Sequence, residues 1–381
     1  MADATRLTRS GRLSEAVGLI QKVLRGRRPN ERPHADAAAS IVLPAAVLDT
    51  PTPSVLEGLI GRLDVPVPSL PGLLRDWHGR RISPAHVAPA AGQFVAGTLA
   101  SETGTRAYKL YVPSATTGAK RQRPLIVMLH GCTQSADDFA AGTRMNFAAE
   151  EHGCLVVYPE QDASANAQKC WNWFKPSEQQ RGGGEPALIA GITRQIMREY
   201  DVDAARVYVA GLSAGGAAAA IMAETYPDLY AAVGVHSGLA CGAARDLPSA
   251  FAAMSGNGPV RIGTRVSTRG VQVAEHDVPT IVFHGDRDTT VHPRNGAEVV
   301  ARAGGGVEIL SEASTSQHQR RFTRSIRRDA TGRSVLELWE IHGAGHAWSG
   351  GSANGSFTDP NGPDATREML RFFLDHTQKP A

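Results

Sequence analysis

Val207-Tyr208-Val209-Ala210-Gly211-Leu212-Ser213-Ala214-Gly215-Gly216 is the stretch that decides the fold. Val207–Ala210 is a short apolar β-type run, and Ala214 onward (AGGAAAAIMAETY) is rich in helix formers. Between them sits a G-x-S-x-G turn. Strand, sharp turn and helix in this order form the setting of a nucleophile elbow, in which the serine hydroxyl is lifted out of the turn. Small neighbours are needed because strand and helix backbones approach closely there. The helix N-terminus that follows Ser213 favours negative charge.

Outward from this turn, from about residue 96, strands and helices alternate. Arg106–Val112, Pro124–Leu129, Leu155–Tyr158, Val207–Ala210, Ala232–Val235, Thr280–Phe283 and Leu336–Ile341 read as strands. Helices are expected near 136–151, 187–199, Ala214–Tyr226, 294–303 and 364–376. PLIVML at 124–129 is a continuous apolar run, as in a strand buried on both faces. Repeated β-then-α units predict a mostly parallel sheet with helices on both faces, and the elbow within that pattern points to an α/β-hydrolase fold. Reactive side chains then belong on loops beyond the C-terminal strand ends.

A serine hydroxyl needs an adjacent base, and in this fold the order is Ser, acid, His. His284-Gly285-Asp286-Arg287-Asp288 follows the strand at 280–283, and Asp288 is the expected acid, with Asp286 as the alternative. His346, in Gly343-Ala344-Gly345-His346-Ala347-Trp348 after the last strand, is the expected base, in preference to His342. His236, His284 and His292 read as structural histidines. The oxyanion donors are expected to be the N–H groups of Ala214 and of Cys132, the latter in the loop His130-Gly131-Cys132-Thr133-Gln134. No base is evident for a nucleophilic Cys132 thiol. Trp173, in Cys170-Trp171-Asn172-Trp173-Phe174, and Trp348 are the expected substrate-binding aromatics.

The set HGCTQ, CWNWF, GLSAGG, HGDRD and GHAWSGG, in this order over residues 100–375, resembles the poly(3-hydroxybutyrate) depolymerase family of esterases. That family is similar in turn to feruloyl and acetylxylan esterases. The resemblance implies carboxylester hydrolysis without metal or cofactor, with Ser213 as nucleophile, Asp288 as acid, His346 as base and HGC at the oxyanion loop. The expected substrate is a small or oligomeric ester of short-chain, hydroxyalkanoate or feruloyl type. Two alternatives stand beside it, a serine peptidase of the same fold and a non-catalytic binding protein that keeps the fold.

The 381 residues divide by pattern into an N-terminal extension, 1–95, and a catalytic domain, 96–381. Residues 4 to 25 read as an amphipathic helix, with Leu13, Ala16, Val17, Ile20, Val23 and Leu24 at helical spacing. Such a helix packs on its own domain, packs on a second subunit of a homo-oligomer, or docks on a hydrophobic surface such as a membrane or polymer granule. Residues 26–95 are rich in Pro, Ala and Arg. A formal net charge of +3 gives no reason to expect nucleic-acid binding. No apolar run is long enough for a transmembrane helix, and the N-terminus lacks signal-peptide grammar. The default compartment is therefore the cytoplasm, although family members are often exported. The four cysteines match no zinc spacing. Cys154 reads as a buried apolar residue, and a Cys170–Cys241 disulfide is conceivable but opposed by a cytoplasmic address.

Overall fold

Alternate residues of the strand Arg123–Leu129 (β3, counting the strands from Gln93–Ser101 as β1 and Gly104–Val112 as β2) enter two different cores. Leu125, Val127 and Leu129 pack on one side, Ile126 and Met128 on the other, and all five are fully buried. This is the two-sided burial that its continuous apolar run predicts. The protein is described by a computed structural model covering residues 82–114, 122–258, 278–303, 308–318 and 320–378. These residues belong to one of two units of the chain, Pro71–Ala381. The expected N-terminal helix at 4–25 and most of the Pro/Arg-rich stretch lie outside the described residues.

The remaining strands are β4 (Leu155–Pro159), β5 (Val202–Leu212), β6 (Ala232–His236), β7 (Thr280–Gly285), β8 (Glu308–Thr315), β9 (Arg321–Arg328) and β10 (Ser334–Ile341). They form one ten-stranded sheet in the order β1-β2-β4-β3-β5-β6-β7-β10-β9-β8. The six strands from β4 to β10 in that order are mutually parallel. An antiparallel hairpin closes each edge, β1–β2 on one side and β8–β9 on the other.

Helices cover both faces. On one lie Gly184–Glu199 and Ala214–Thr225, which bury Leu188, Ile189, Ile192, Ile196, Ile221 and Met222. On the other lie Ala136–Thr143, Met145–His152 and Ala365–Leu374, the last burying Met369, Leu370, Phe372 and Phe373. This is the α/β architecture expected from the sequence.

Three local differences have physical causes. The single helix expected near 136–151 is two, because Arg144 takes a left-handed conformation (φ 58°) that ends one and begins the next. The edge hairpin β8–β9 has no expected counterpart, because its strands, EILSEAST and RFTRSIRR, are largely polar. The first strand, Gln93–Ser101, crosses the compositional boundary at residue 95.

Candidate active site

Register fixes the neighbourhood. Leu129 of β3 pairs with Gly211 of β5, Leu212 of β5 with His236 of β6, His236 with Phe283 of β7, and Gly285 of β7 with Ile341 of β10. The C-terminal ends of five parallel strands are therefore side by side. The loops that carry Cys132, Ser213, Asp288 and His346 leave from that one rim.

Ser213 caps the N-terminus of Ala214–Thr225 with φ 59° and ψ −120°, outside the ordinary regions for a side-chain-bearing residue. Such strain persists only where surroundings over-determine it. They do so here: the Ser213 N–H donates to His236 O at 2.9 Å, and its carbonyl accepts from Ala217 N–H at 2.9 Å. The flanking glycines are required by close approach. A Cβ on Gly215 would run into the carbonyl oxygens of Leu129 and His130, and one on Gly211 into the Gly215 backbone.

Asp288 and His346 meet. Asp288 Oδ2 lies 2.7 Å from His346 Nδ1, while Oδ1 accepts the backbone N–H groups of Thr290 (2.9 Å) and Val291 (2.8 Å). His284 Nε2 lies 3.5 Å from the same Oδ2 and donates to Val291 O at 2.8 Å. Burial opposes ionisation of Asp288. The nearby His284 imidazole, the bond to His346 and the Val291 amide outweigh it and hold the carboxyl well below the usual carboxylate range. The His346 ring keeps 11% of its surface exposed and stands edge-on to Phe357. Asp286, the alternative acid, faces elsewhere: it pairs with His342 Nδ1 at 3.1 Å.

The loop His130–Gln134, expected to supply an oxyanion donor, abuts the serine, since a Cβ on Gly131 would lie 3.6 Å from Ser213 Cβ. Neither the Cys132 N–H nor the Ala214 N–H has an acceptor among the described residues. The loop is held from behind by residues that the sequence did not single out. His130 Nδ1 bonds to Gly131 O at 2.7 Å, and its Nε2 accepts the Gln161 N–H at 3.0 Å. Burial keeps this imidazole neutral by lowering its pKa. Gln134 Oε1 accepts the Gly131 N–H at 2.8 Å, and Trp171 Nε1 donates to His130 O at 3.0 Å.

Cys132 is not a free thiol: it forms a disulfide with Cys170, whose neighbour Trp171 is tied to His130 and so brings Cys170 beside the oxyanion loop. Cys241, the partner first considered for Cys170, is a free cysteine, and burial pushes its thiol up to about 12. Trp348 is 1% exposed, stacked on His236 at 5.1 Å, with its indole N–H bonded to Thr366 Oγ1. Its ring also meets Phe139 edge-on at 5.5 Å, within the core. Trp173 is likewise buried, in the same core cluster as Ile189, Ala218 and Met222, and lines a small cavity with Glu185 and Pro186. Both tryptophans found better apolar burial than a loop surface provides.

His236 lies sandwiched between Phe283 and Trp348, accepts the Ser349 N–H at 3.0 Å, and is held well below its usual pKa by burial. Among the described residues no group of three or more His, Cys, Asp or Glu side chains is placed to hold a metal ion. No helix there is long and apolar enough to cross a membrane.

Comparison with known proteins agrees with this architecture. Poly(3-hydroxyalkanoate) depolymerase C of Paucimonas lemoignei is 33% identical over 272 residues, 69% of this chain and 64% of that protein. Feruloyl esterase B of Neurospora crassa is 31% identical over 185 residues, 46% of this chain and 62% of that protein. The chain thus spans less than two thirds of these relatives' length. The solved acetyl xylan esterase from Aspergillus awamori superposes with a TM-score of 0.54 at 19% identity, covering 74% of this chain and 99% of that one, which shows the α/β-hydrolase fold. The family described as Esterase PHB depolymerase matches residues 106–305, more than half of the chain, and the chain belongs to that family.

Proposed function

We propose that this chain is a serine carboxylester hydrolase working through an acyl-enzyme. The observation that carries the reading is the 2.7 Å bond between Asp288 and His346, on loops leaving the same sheet rim as the strained Ser213 turn. His346 Nε2 accepts the Ser213 proton as Oγ attacks the ester carbonyl. Asp288 fixes the tautomer through Nδ1 and stabilises the imidazolium as it forms. The Cys132 and Ala214 N–H groups receive the developing oxyanion. His346 then protonates the leaving alcohol, and water activated by the same ring releases the acid. Substrates are short-chain, hydroxyalkanoate or feruloyl-type esters, the classes suggested by the relatives' names. The Cys132–Cys170 disulfide favours an oxidising compartment over the cytoplasm.

A serine-reactive phosphonate followed by peptide mass mapping tests the nucleophile. The label is expected on Ser213 alone, and labelling elsewhere with Ser213 unmodified defeats the assignment. A panel of acetyl, butyryl, hydroxybutyrate-oligomer and feruloyl esters, run beside peptide anilides, then fixes the class. Faster anilide cleavage would favour the peptidase alternative.

A further inference from the structure

Two Asp–His pairs join the same two loops. The inner one is Asp288–His346. The outer one is Asp286–His342, at 3.1 Å, and it is much more exposed: the side chains of Asp286 and His342 keep 43% and 36% of their surface, against 0% and 11% for the inner pair. The outer pair continues as a relay, because His342 Nε2 lies 2.9 Å from Thr323 Oγ1. With Nδ1–H donating to Asp286, Nε2 of the neutral ring accepts the Thr323 hydroxyl. This Thr–His–Asp string has the order of a catalytic set but not its setting. Thr323 sits in mid-strand, paired with Glu340 on one side and Ala313 on the other. It has no sharp turn and no helix N-terminus to supply oxyanion donors, so a nucleophilic role lacks its other half.

What the outer carboxylate does hold is the path of the loop to His346. Asp286 Oδ1 accepts the Gly343 N–H at 2.7 Å, and Oδ2 holds His342. The backbones are laced in parallel, Asp286 N–H to Ile341 O at 3.1 Å and Arg287 N–H to Ala344 O at 3.0 Å. Gly343 turns through a left-handed φ of 74°, and its carbonyl accepts from Arg320 at 3.3 Å. Arg320 is itself anchored on Asp359 at 3.0 Å. Gly343 is thus gripped by a carboxylate on its amide and a guanidinium on its carbonyl, three residues before His346.

We propose that Asp286 is a positioning residue for the hydrolysis. Its carboxylate clamps His342 and the Gly343 amide to the Asp288 loop, and so sets where the His346 ring stands relative to Ser213. This rests on the Ser213–His346–Asp288 reading. The same residue that binds the loop from outside lies two positions from the one that orients the imidazole from inside, so one turn controls both the direction and the location of the base.

The test is steady-state kinetics on p-nitrophenyl butyrate with the full chain. Asp286→Ala is expected to lower kcat by about 10- to 100-fold, the scale on which a misplaced catalytic group costs rate, with KM little changed. The rate of phosphonate labelling at Ser213 should fall in parallel. Asp286→Asn keeps an oxygen for the Gly343 amide and should recover most of the rate. His342→Ala, which frees only one of the two clamped groups, should lose less than Asp286→Ala. Wild-type kcat in folded Asp286→Ala, even with a lowered melting temperature, would overturn the proposal by reducing Asp286 to a structural role. If Asp286→Ala does not fold, Asp286→Ser, too short to hold both His342 and the Gly343 amide, decides in its place, and an unchanged kcat there overturns the proposal. Ser213→Ala is the control. Full activity in that variant defeats the parent reading, whereas an inactive Ser213→Ala beside an unaffected Asp286→Ala defeats this inference alone.

Discussion

Asp288 Oδ2 and His346 Nδ1, 58 positions apart in the chain, lie 2.7 Å from each other beyond the ends of two neighbouring parallel strands. The bond gives the imidazole one tautomer, with Nε2 free of that carboxylate. Together with His284 and the Val291 amide, it keeps this fully buried carboxyl ionised.

Asp288→Asn tests that tautomer. The amide is nearly isosteric, but its nitrogen can face Nδ1 and favour the wrong form of the ring. Turnover should fall by about 10⁴-fold, as for the equivalent change in a serine protease triad. Steady-state kinetics on a p-nitrophenyl ester reads it, and a loss of less than about 10-fold would place the acid elsewhere.

The same carboxylate carries a pH signature. Its pKa in the folded chain is depressed, so ionised Asp288 stabilises the fold fully above the ordinary aspartate value of about 4, and this contribution is lost as pH falls through the depressed value. The stability difference between wild type and Asp288→Asn should be present at neutral pH and shrink in acid. Urea midpoints across that range measure it, and a difference that grows in acid would contradict the sign.

The Cys132–Cys170 bridge spans a sequence separation of 38. On chain-entropy grounds a loop of that size stabilises the fold by about 4 kcal/mol. The double substitution Cys132→Ser with Cys170→Ser should therefore lower the urea-unfolding free energy by about 2–4 kcal/mol. Because the bridge holds the oxyanion loop, kcat should fall in the same variant. Unchanged stability under oxidising conditions would mean that the bond does not form.

Gly215→Ala probes the elbow. Its methyl would meet two carbonyl oxygens of the β3 end, which are backbone atoms that cannot swing away. A loss of about 3 kcal/mol or more, or failure to fold, is expected from overpacking at this crossing. Thermal melting measures it, and a melting temperature like that of wild type would show the turn to be looser than described.

Much of this was legible in the chain. The run PLIVML announced a strand buried on both faces, and the turn GLSAGG, set between a β-type run and an alanine-rich helix, located Ser213 and its strand. The order of HGDRD and GHAWSGG gave the two loops that bring Asp288 to His346. What stayed hidden depends on contacts that sequence does not carry. The polar strands EILSEAST and RFTRSIRR at one side of the sheet lack a continuous apolar face to read. Spacing cannot choose among cysteine partners, and nothing in the sequence marks Cys132, rather than Cys241, as the residue beside Cys170. Aromatic residues next to a site can turn into the core, as Trp173 and Trp348 do. The bracing of the oxyanion loop joins its own His130 and Gln134 to Gln161 and Trp171 from elsewhere in the chain and left no local pattern.

The central claim is that Ser213 is the nucleophile, and turnover of Ser213→Ala on a p-nitrophenyl ester tests it most directly. The account predicts a fall of about 10⁶-fold, the scale of nucleophile loss in a serine hydrolase, in a chain that melts like the wild type. Hydrolysis by Ser213→Ala at a rate near that of the wild type would contradict it.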